Sequence, residues 1–349
     1  MLGITISDLF YRRRQFLIAI LGAALVFAMT LLMSGLAAGF GVEITQTVKG
    51  FHADSWVVKT GSSGRIVSLA PFPEGVAGPV AGVPGVVRAT PVVVVPQTAQ
   101  VHGALEQVNL IGSPAGSAPG RQRLTSGRLV AAPGEAVVDS RLGVGVGSRV
   151  RVADRPFAVV GVTSDRTLLG GIPNMYVVLR DAQVSAFEGA RIISAVVVTG
   201  VPTALPPDLH ALTNGQIEEA SRQQMATAIS SINNSKLFMW LIAAVIVASL
   251  VYVTALERTR DFAVLKALGA SSGKLFMGLA LQAMLVALIA AAFAVVLAQF
   301  MTGVFKQPVD FPLSAYVVLP LSAIIVGLLS SLIALRRAVA ADPAKAFAG

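Results

Sequence analysis

The sequence predicts an α-helical membrane protein in which four transmembrane helices carry an α+β, strand-rich extracytoplasmic domain inserted between helices one and two. Three observations predict it. The 349-residue chain is 54% hydrophobic and only 13% charged, against about 25% charged residues in an average soluble domain. The few charges leave four long apolar windows. Between the first two windows the composition changes to Pro, Gly and short β-branched runs, the signature of strands separated by turns.

Residues 1–14 read as a cytoplasmic amphipathic N-terminus. Leu2, Ile6, Leu9 and Phe10 oppose Ser7 and Asp8, and Arg12, Arg13 and Arg14 close the segment. The uncharged windows then fall at residues 15–42, 237–256, 275–305 and 311–335. A spanning helix needs about 20 predominantly apolar residues, so each window qualifies. The last is read as helix over 316–335, with 306–315 as an external loop. The first reads as an uncleaved anchor, because its apolar run of about 25 residues exceeds the roughly 7–15 of a signal peptide.

Orientation follows from Lys and Arg beside the helix ends. Residues 1–14, the 257–274 loop and the 336–349 tail hold Arg12, Arg13, Arg14, Arg258, Arg260, Lys266, Lys274, Arg336, Arg337 and Lys345. The opposite short loop holds only Lys306. Both termini and the 257–274 loop are therefore expected on the cytoplasmic side of a cell membrane. Residues 43–236 carry 16 Lys plus Arg against 13 Asp plus Glu, so most of the net charge of +9 is this inside bias. That removes nucleic acid as the partner implied by basicity; the lipid membrane takes its place.

The extracytoplasmic domain spans 43–232. Strands are expected at 55–59, 86–95, 107–111, 135–139, 149–152, 157–162, 175–179 and 192–198, with short helices near 74–82 and 181–189. The polar stretch 214–234 is helix-compatible. Ile217, Met225, Ile229 and Ile232 share a face, which fits a stalk extending the second membrane helix or an amphipathic linker packed on the domain.

Motifs for chemistry are few. There is no cysteine, and His52, His102 and His210 stand far apart, so no metal or catalytic site is expected. Gly269-Ala270-Ser271-Ser272-Gly273 fits G-x-S-x-G, but a nucleophile elbow follows a strand and here a helix precedes it. Gly273-Lys274-Leu275 lacks the spacing and hydroxyl of a P-loop. The four spans contain no Asp, Glu, Lys, Arg or His, which argues against an ion-coupled carrier. Gln282 and Gln299 are the type of polar side chain that bonds across helices. Gly35 and Gly39 form a GxxxG pair, read either as a close helix–helix packing site or as ordinary glycine usage.

The most informative stretch is residues 257–270, ERTRDFAVLKALGA. Phe262, Leu265 and Leu268 recur at helical spacing, and Gly269 suits a helix C-terminus. The stretch resembles the E-R-x-R-E-x-x-x-L-K-A-L-G-A motif of the FtsX/MacB-type ABC permease family, with Asp261 where Glu is commoner. The layout of one helix, a large external domain and three further helices is similar too. So are Leu124-Thr125-Ser126-Gly127-Arg128, Glu135-Ala136-Val137-Val138, Gly147-Ser148-Arg149-Val150, Phe157-Ala158-Val159-Val160-Gly161-Val162 and the closing Arg336-Arg337 segment with Asp342-Pro343-Ala344.

The resemblance implies a non-enzymatic permease subunit that binds no cofactor itself, with ATP and Mg held by a separate ABC ATPase present in two copies. It implies a second permease chain, as homodimer or heterodimer, and an extracytoplasmic adaptor or substrate. The 257–274 loop would dock on the ATPase, with Phe262, Leu265 and Leu268 as apolar anchors, Glu257, Arg258, Arg260, Asp261 and Lys266 around them, and Gly269 ending the helix. The expected function is mechanotransmission: ATP-driven closure moves the external domain, and a substrate is exported or extracted at the outer face of the bacterial cytoplasmic membrane. The alternative within the same family is a signalling subunit that regulates cell-wall hydrolases.

Overall fold

A computed structural model describes residues 13–117, 124–164, 166–257, 264, 271–305 and 309–339. The chain divides into two compact units: one of residues 1–38, 229–305 and 309–349, the other of residues 39–228 and 306–308.

The first unit is helical. Helix α1 (Arg13–Gly50) enters it. After the short α2 (Ala77–Ala81), α3 (Leu179–Phe187) and α4 (Asn214–Gln224) of the second unit, the chain returns as α5 (Ala226–Glu257), α6 (Ser272–Met301) and α7 (Leu313–Val339). Among the described residues three helices are long and apolar enough to cross a membrane: Phe16–Gly50, Ala226–Glu257 and Met277–Met301. A fourth apolar stretch, Leu313–Leu329, lies within α7, whose 27 residues include the helix expected over 316–335. That helix starts after Pro312, and Pro320 lies inside it, where the ring removes one backbone donor.

The packing is that of helices in lipid. Ala283, Ala287, Ala290, Ala294 and Ala298 line the buried face of α6, and small residues let helix backbones approach. At Gly327 a Cβ would lie 3.0 Å from the backbone of Met284. Outward, large apolar side chains are exposed, among them Leu241, Val245, Phe293 and Phe300. So broad an exposed apolar surface is foreign to a soluble monomer. Gln299 donates to the Tyr316 hydroxyl at 3.0 Å, the cross-helix bond its position suggested. Gln282 Nε2 is buried with no partner among the described residues.

The second unit is built on one large mixed sheet. The strands of this unit are β1 (Ser55–Lys59), β2 (Phe72–Pro73), β3 (Val86–Val101), β4 (Ala104–Ser113), β5 (Leu124–Gly127), β6 (Glu135–Asp139), β7 (Arg149–Val152), β8 (Arg155–Thr163), β9 (Thr167–Leu168), β10 (Ile172–Val178), β11 (Ile192–Ile193), β12 (Ala195–Gly200) and β13 (Leu209–Thr213). The order is β13-β1-β12-β3-β4-β10-β6-β8-β5, with β7 on β3 and β8, and β9 on β10. β2 and β11 make a separate two-stranded ladder. β4–β10 and β6–β8 run parallel; the other pairs are antiparallel.

Both faces of the sheet are covered, which explains the unbroken valine runs. The two-residue period of a strand sends Val57, Val93, Leu110, Met175 and Val177 to one core, shared with Val80 of α2 and Ala182 of α3. It sends Trp56, Val58, Val92, Val94, Ile111 and Tyr176 to the other, shared with Ile44 and Val48 of α1 and Ile217 of α4. The run expected at 192–198 is two strands. Ser194 interrupts it, bonding through its N–H to Val92 O at 2.8 Å and accepting the Val94 N–H on its hydroxyl at 3.1 Å. The polar stretch 214–234 forms helix in two pieces, broken at Met225 (φ −90°, ψ 0°). α4, its first piece, packs Ile217 and Ser221 into the domain.

Candidate functional site

α1 does not stop where its charge-free window stops. It runs two further turns to Gly50, and these turns belong to the strand-rich unit. Glu43, the first charged residue after the window, is 4% exposed. Burying a carboxylate is costly unless donors replace its water. Three do. The Thr167 hydroxyl donates to Oε1, Gly171 N–H to Oε1 at 2.8 Å and Gly170 N–H to Oε2 at 2.9 Å.

The cradle is the turn between β9 and β10. Leu169 (φ 57°), Gly170 (φ 83°) and Gly171 (φ 94°) are consecutive left-handed residues, which aims two successive N–H groups at one anion. Glycine is required at position 170 for a second reason: a Cβ there would lie 3.2 Å from the Phe40 ring.

Around this bond the last turns of α1 are tied to the sheet at several points. Arg166, 5% exposed, donates from Nη1 to Gln46 O at 2.8 Å and from its N–H to Asp139 at 2.7 Å. Asp139 is wholly buried and also accepts the Arg141 N–H at 3.0 Å. Thr47 donates to Thr167 O at 3.3 Å. Arg141 reaches the Thr167 hydroxyl at 3.5 Å, which places a positive charge behind the Glu43 cradle. Further in, Asn109 Nδ2 donates to Ile172 O and to Asn174 Oδ1, both at 3.2 Å. Tyr176, deeply buried beside this layer, has its phenol pushed up to about 12 by desolvation.

α4 is held by a matching set. Its first turn has a capping box: Thr213 accepts the Gln216 N–H at 3.3 Å and donates its own N–H to Gln216 Oε1 at 2.8 Å. Trp56 Nε1 donates to Asn214 Oδ1 at 2.9 Å, and Asn214 Nδ2 to Ala53 O at 2.7 Å. Ser221 accepts the Ile66 N–H at 3.1 Å. Thr45 of α1 donates to Glu218 of α4 at 2.8 Å. The feet of two helices are thus fastened to the same sheet and to each other.

The sequence did not single out Glu43, Asp139, Arg166, Thr167 or the Gly170-Gly171 pair. The one signal available was a glutamate directly after a long uncharged window. Of the residues expected at the cytoplasmic loop, Glu257 ends α5; Arg258, Arg260, Asp261, Phe262, Leu265, Lys266, Leu268 and Gly269 lie outside the described residues. Gly35 and Gly39 are buried. At Gly35 a Cβ would sit 2.6 Å from Val309 and 2.9 Å from Phe311 of the same chain, and Gly35 O accepts the Asp310 N–H at 3.0 Å. Among the described residues no cluster of three His, Asp or Glu side chains is placed to hold a metal.

Two family models match the chain: the MacB-like periplasmic core domain over residues 16–233 and the FtsX-like permease C-terminal domain over residues 236–343. An ABC transporter permease of Mycobacterium bovis is 38% identical over 349 residues, covering 100% of both chains. The chain belongs to the FtsX/MacB-type ABC permease family. Another ABC transporter permease, from Mycobacterium tuberculosis, is 37% identical over 350 residues, again across 100% of both chains.

Two solved structures resemble part of the permease. The periplasmic region of MacB from Actinobacillus actinomycetemcomitans covers 50% of this chain and 96% of its own, at 16% identity and TM-score 0.36. The extracellular domain of the noncanonic ABC-type transporter YknZ from Gram-positive bacteria covers 43% and 85%, at 19% identity and TM-score 0.33. By its two family models the permease is a membrane protein of apolar helices with a MacB-like extracytoplasmic domain, and permeases of this kind work with an ATPase partner.

Proposed function

We propose that this permease is a mechanical transmitter. Two copies of a partner ABC ATPase hold ATP and Mg, and their closure is received by the 257–274 loop through Phe262 and Leu265. The movement passes along α1 and α5 to the extracytoplasmic domain, which exports or extracts a substrate at the outer face of the cytoplasmic membrane. The working unit contains two permease chains, identical or different, and an extracytoplasmic adaptor or substrate meets the domain. Four spans, α7 being the fourth, place both termini and the 257–274 loop in the cytoplasm. This chain binds no cofactor of its own.

The observation that carries this reading is the fastening of α1 at Glu43. A helix end held by a buried carboxylate and three donors, with Arg166 and Thr47 bonding beside it, moves with its sheet. A slack linker would absorb the displacement. The experiment is co-purification of the permease with its ATPase, reconstitution, and ATPase assay of wild type against Phe262→Ala and Leu265→Asp. Loss of permease-dependent ATPase stimulation with unchanged melting of the permease supports docking through this loop. Unchanged stimulation in both variants contradicts it.

A further inference from the structure

A cavity of about 210 Å³ opens in the strand-rich unit at the β3–β12 ladder, beside the end of α1. The ladder register sets Arg88 opposite Thr199 and Thr90 opposite Val197. The strand period then presents Arg88 and Thr90 on one face. Ser113, at the end of β4, adds a buried hydroxyl. His52 follows the last turn of α1, held in a left-handed conformation (φ 51°) by its N–H bond to Lys49 O at 3.1 Å.

These groups are basic or hydroxylic, and they are free. Among the described residues the side chains of Arg88, His52, Thr90, Ser113 and Thr199 have no hydrogen-bond or ion-pair partner. Among the described residues no Asp or Glu lines the wall. The adjacent Asp54 carboxylate is engaged by Gly200 N–H at 2.7 Å. An exposed guanidinium with no counter-charge, sharing a concave wall with three unengaged hydroxyls and an imidazole, offers a set of donors to an oxyanion. The donors outnumber the two oxygens of a carboxylate and match the three free oxygens of a phosphate monoester. Phe51 and Val197 add apolar wall, which suits a phosphate attached to a small organic body.

We propose that this cavity binds a phosphate monoester, with Arg88 as the charged anchor and Thr90, Ser113 and Thr199 as hydroxyl donors. The ligand's source is either a soluble ester or a lipid headgroup. The test is equilibrium binding of radiolabelled glycerol phosphate to the full chain in uncharged detergent. Saturable binding should weaken about tenfold or more in Arg88→Gln, the loss expected for one charge-assisted hydrogen bond. Thr199→Val should weaken it less. Arg149→Gln, an equal change of charge on the exposed side of β7, should leave it unchanged. Melting curves matching wild type show that Arg88→Gln is folded, and Thr199→Val supplies the reading if it is not. Competition by phosphatidic acid nanodiscs but not by phosphatidylcholine nanodiscs identifies a lipid headgroup; absence of competition by either identifies a soluble ester. No saturable binding, or equal binding in Arg88→Gln and Arg149→Gln, overturns the proposal.

Discussion

Replacing Glu43 by alanine removes the acceptor for three donors at once: the Thr167 hydroxyl and the N–H groups of Gly170 and Gly171. A buried donor left unsatisfied costs about 1–3 kcal/mol. The three do not add fully. The vacated volume admits water, which satisfies part of the set, and loss of the carboxylate also removes its own desolvation cost. The balance is a destabilisation of about 2–4 kcal/mol. For a domain of this size that corresponds to a fall of about 5–15 °C in melting temperature. Glu43→Gln keeps the shape but faces one amide NH2 toward a donor, so it should lose less, about 1–2 kcal/mol.

The assay is hydrogen exchange on the full chain in detergent, because a two-unit protein need not melt in one step. Local opening by 2–4 kcal/mol should speed exchange at Gly170 and Gly171 by about 30- to 1000-fold, with Glu43→Gln between wild type and alanine. Unchanged exchange at both glycines in Glu43→Ala would show that these bonds do not fasten the helix.

Gly170→Ala should destabilise the strand-rich unit by about 1–3 kcal/mol, because φ is 83° and the new Cβ meets the Phe40 ring at 3.2 Å; chemical denaturation followed by Trp56 fluorescence measures it. The Arg128 guanidinium and the Ala131 and Ala132 N–H groups beside Glu135 hold its carboxyl down to about 2, from an ordinary value of 4.5. The folded value lies below the unfolded one, so this contribution is fully present above pH 4.5 and is lost as pH falls toward 2. Glu135→Gln should therefore flatten the acid limb of the stability–pH curve in that interval and leave the neutral limb's shape unchanged. Phe262→Ala and Leu265→Asp should reduce permease-dependent ATPase stimulation at least about tenfold, the loss typical of an interface anchor, with the permease's melting unchanged.

The elements most legible in the sequence are those whose cause is local. Val92, Val93 and Val94 declare a strand covered on both faces, and the structure sends them alternately to the two cores. The uncharged windows reveal the long helices for the same reason: hydropathy is a property of the segment itself. β13 is not legible in the sequence because Leu209–Thr213 is short and half polar, and it becomes a strand by pairing with β1. The candidate site was nearly invisible. Glu43 finds its acceptor-filling donors 124 to 128 residues away, and nothing near position 43 announces them. Gly170-Gly171 reads as an ordinary turn until the fold brings a carboxylate above it. Ser194 shows the converse case, a single buried hydroxyl breaking an apolar run that the sequence presents as one strand.

In the proposed mechanism the segment between α5 and α6 faces the cytoplasm and engages a nucleotide-driven partner. The chain contains no cysteine, so a single Val264→Cys substitution gives one unambiguous probe at an exposed helical residue. In intact cells or right-side-out vesicles a membrane-impermeant maleimide should leave position 264 unlabelled, while a photo-crosslinker attached there should capture the ATPase subunit in a nucleotide-dependent yield. Labelling from outside, or a crosslinking yield indifferent to the presence of the ATPase, would rule out a cytoplasmic docking loop.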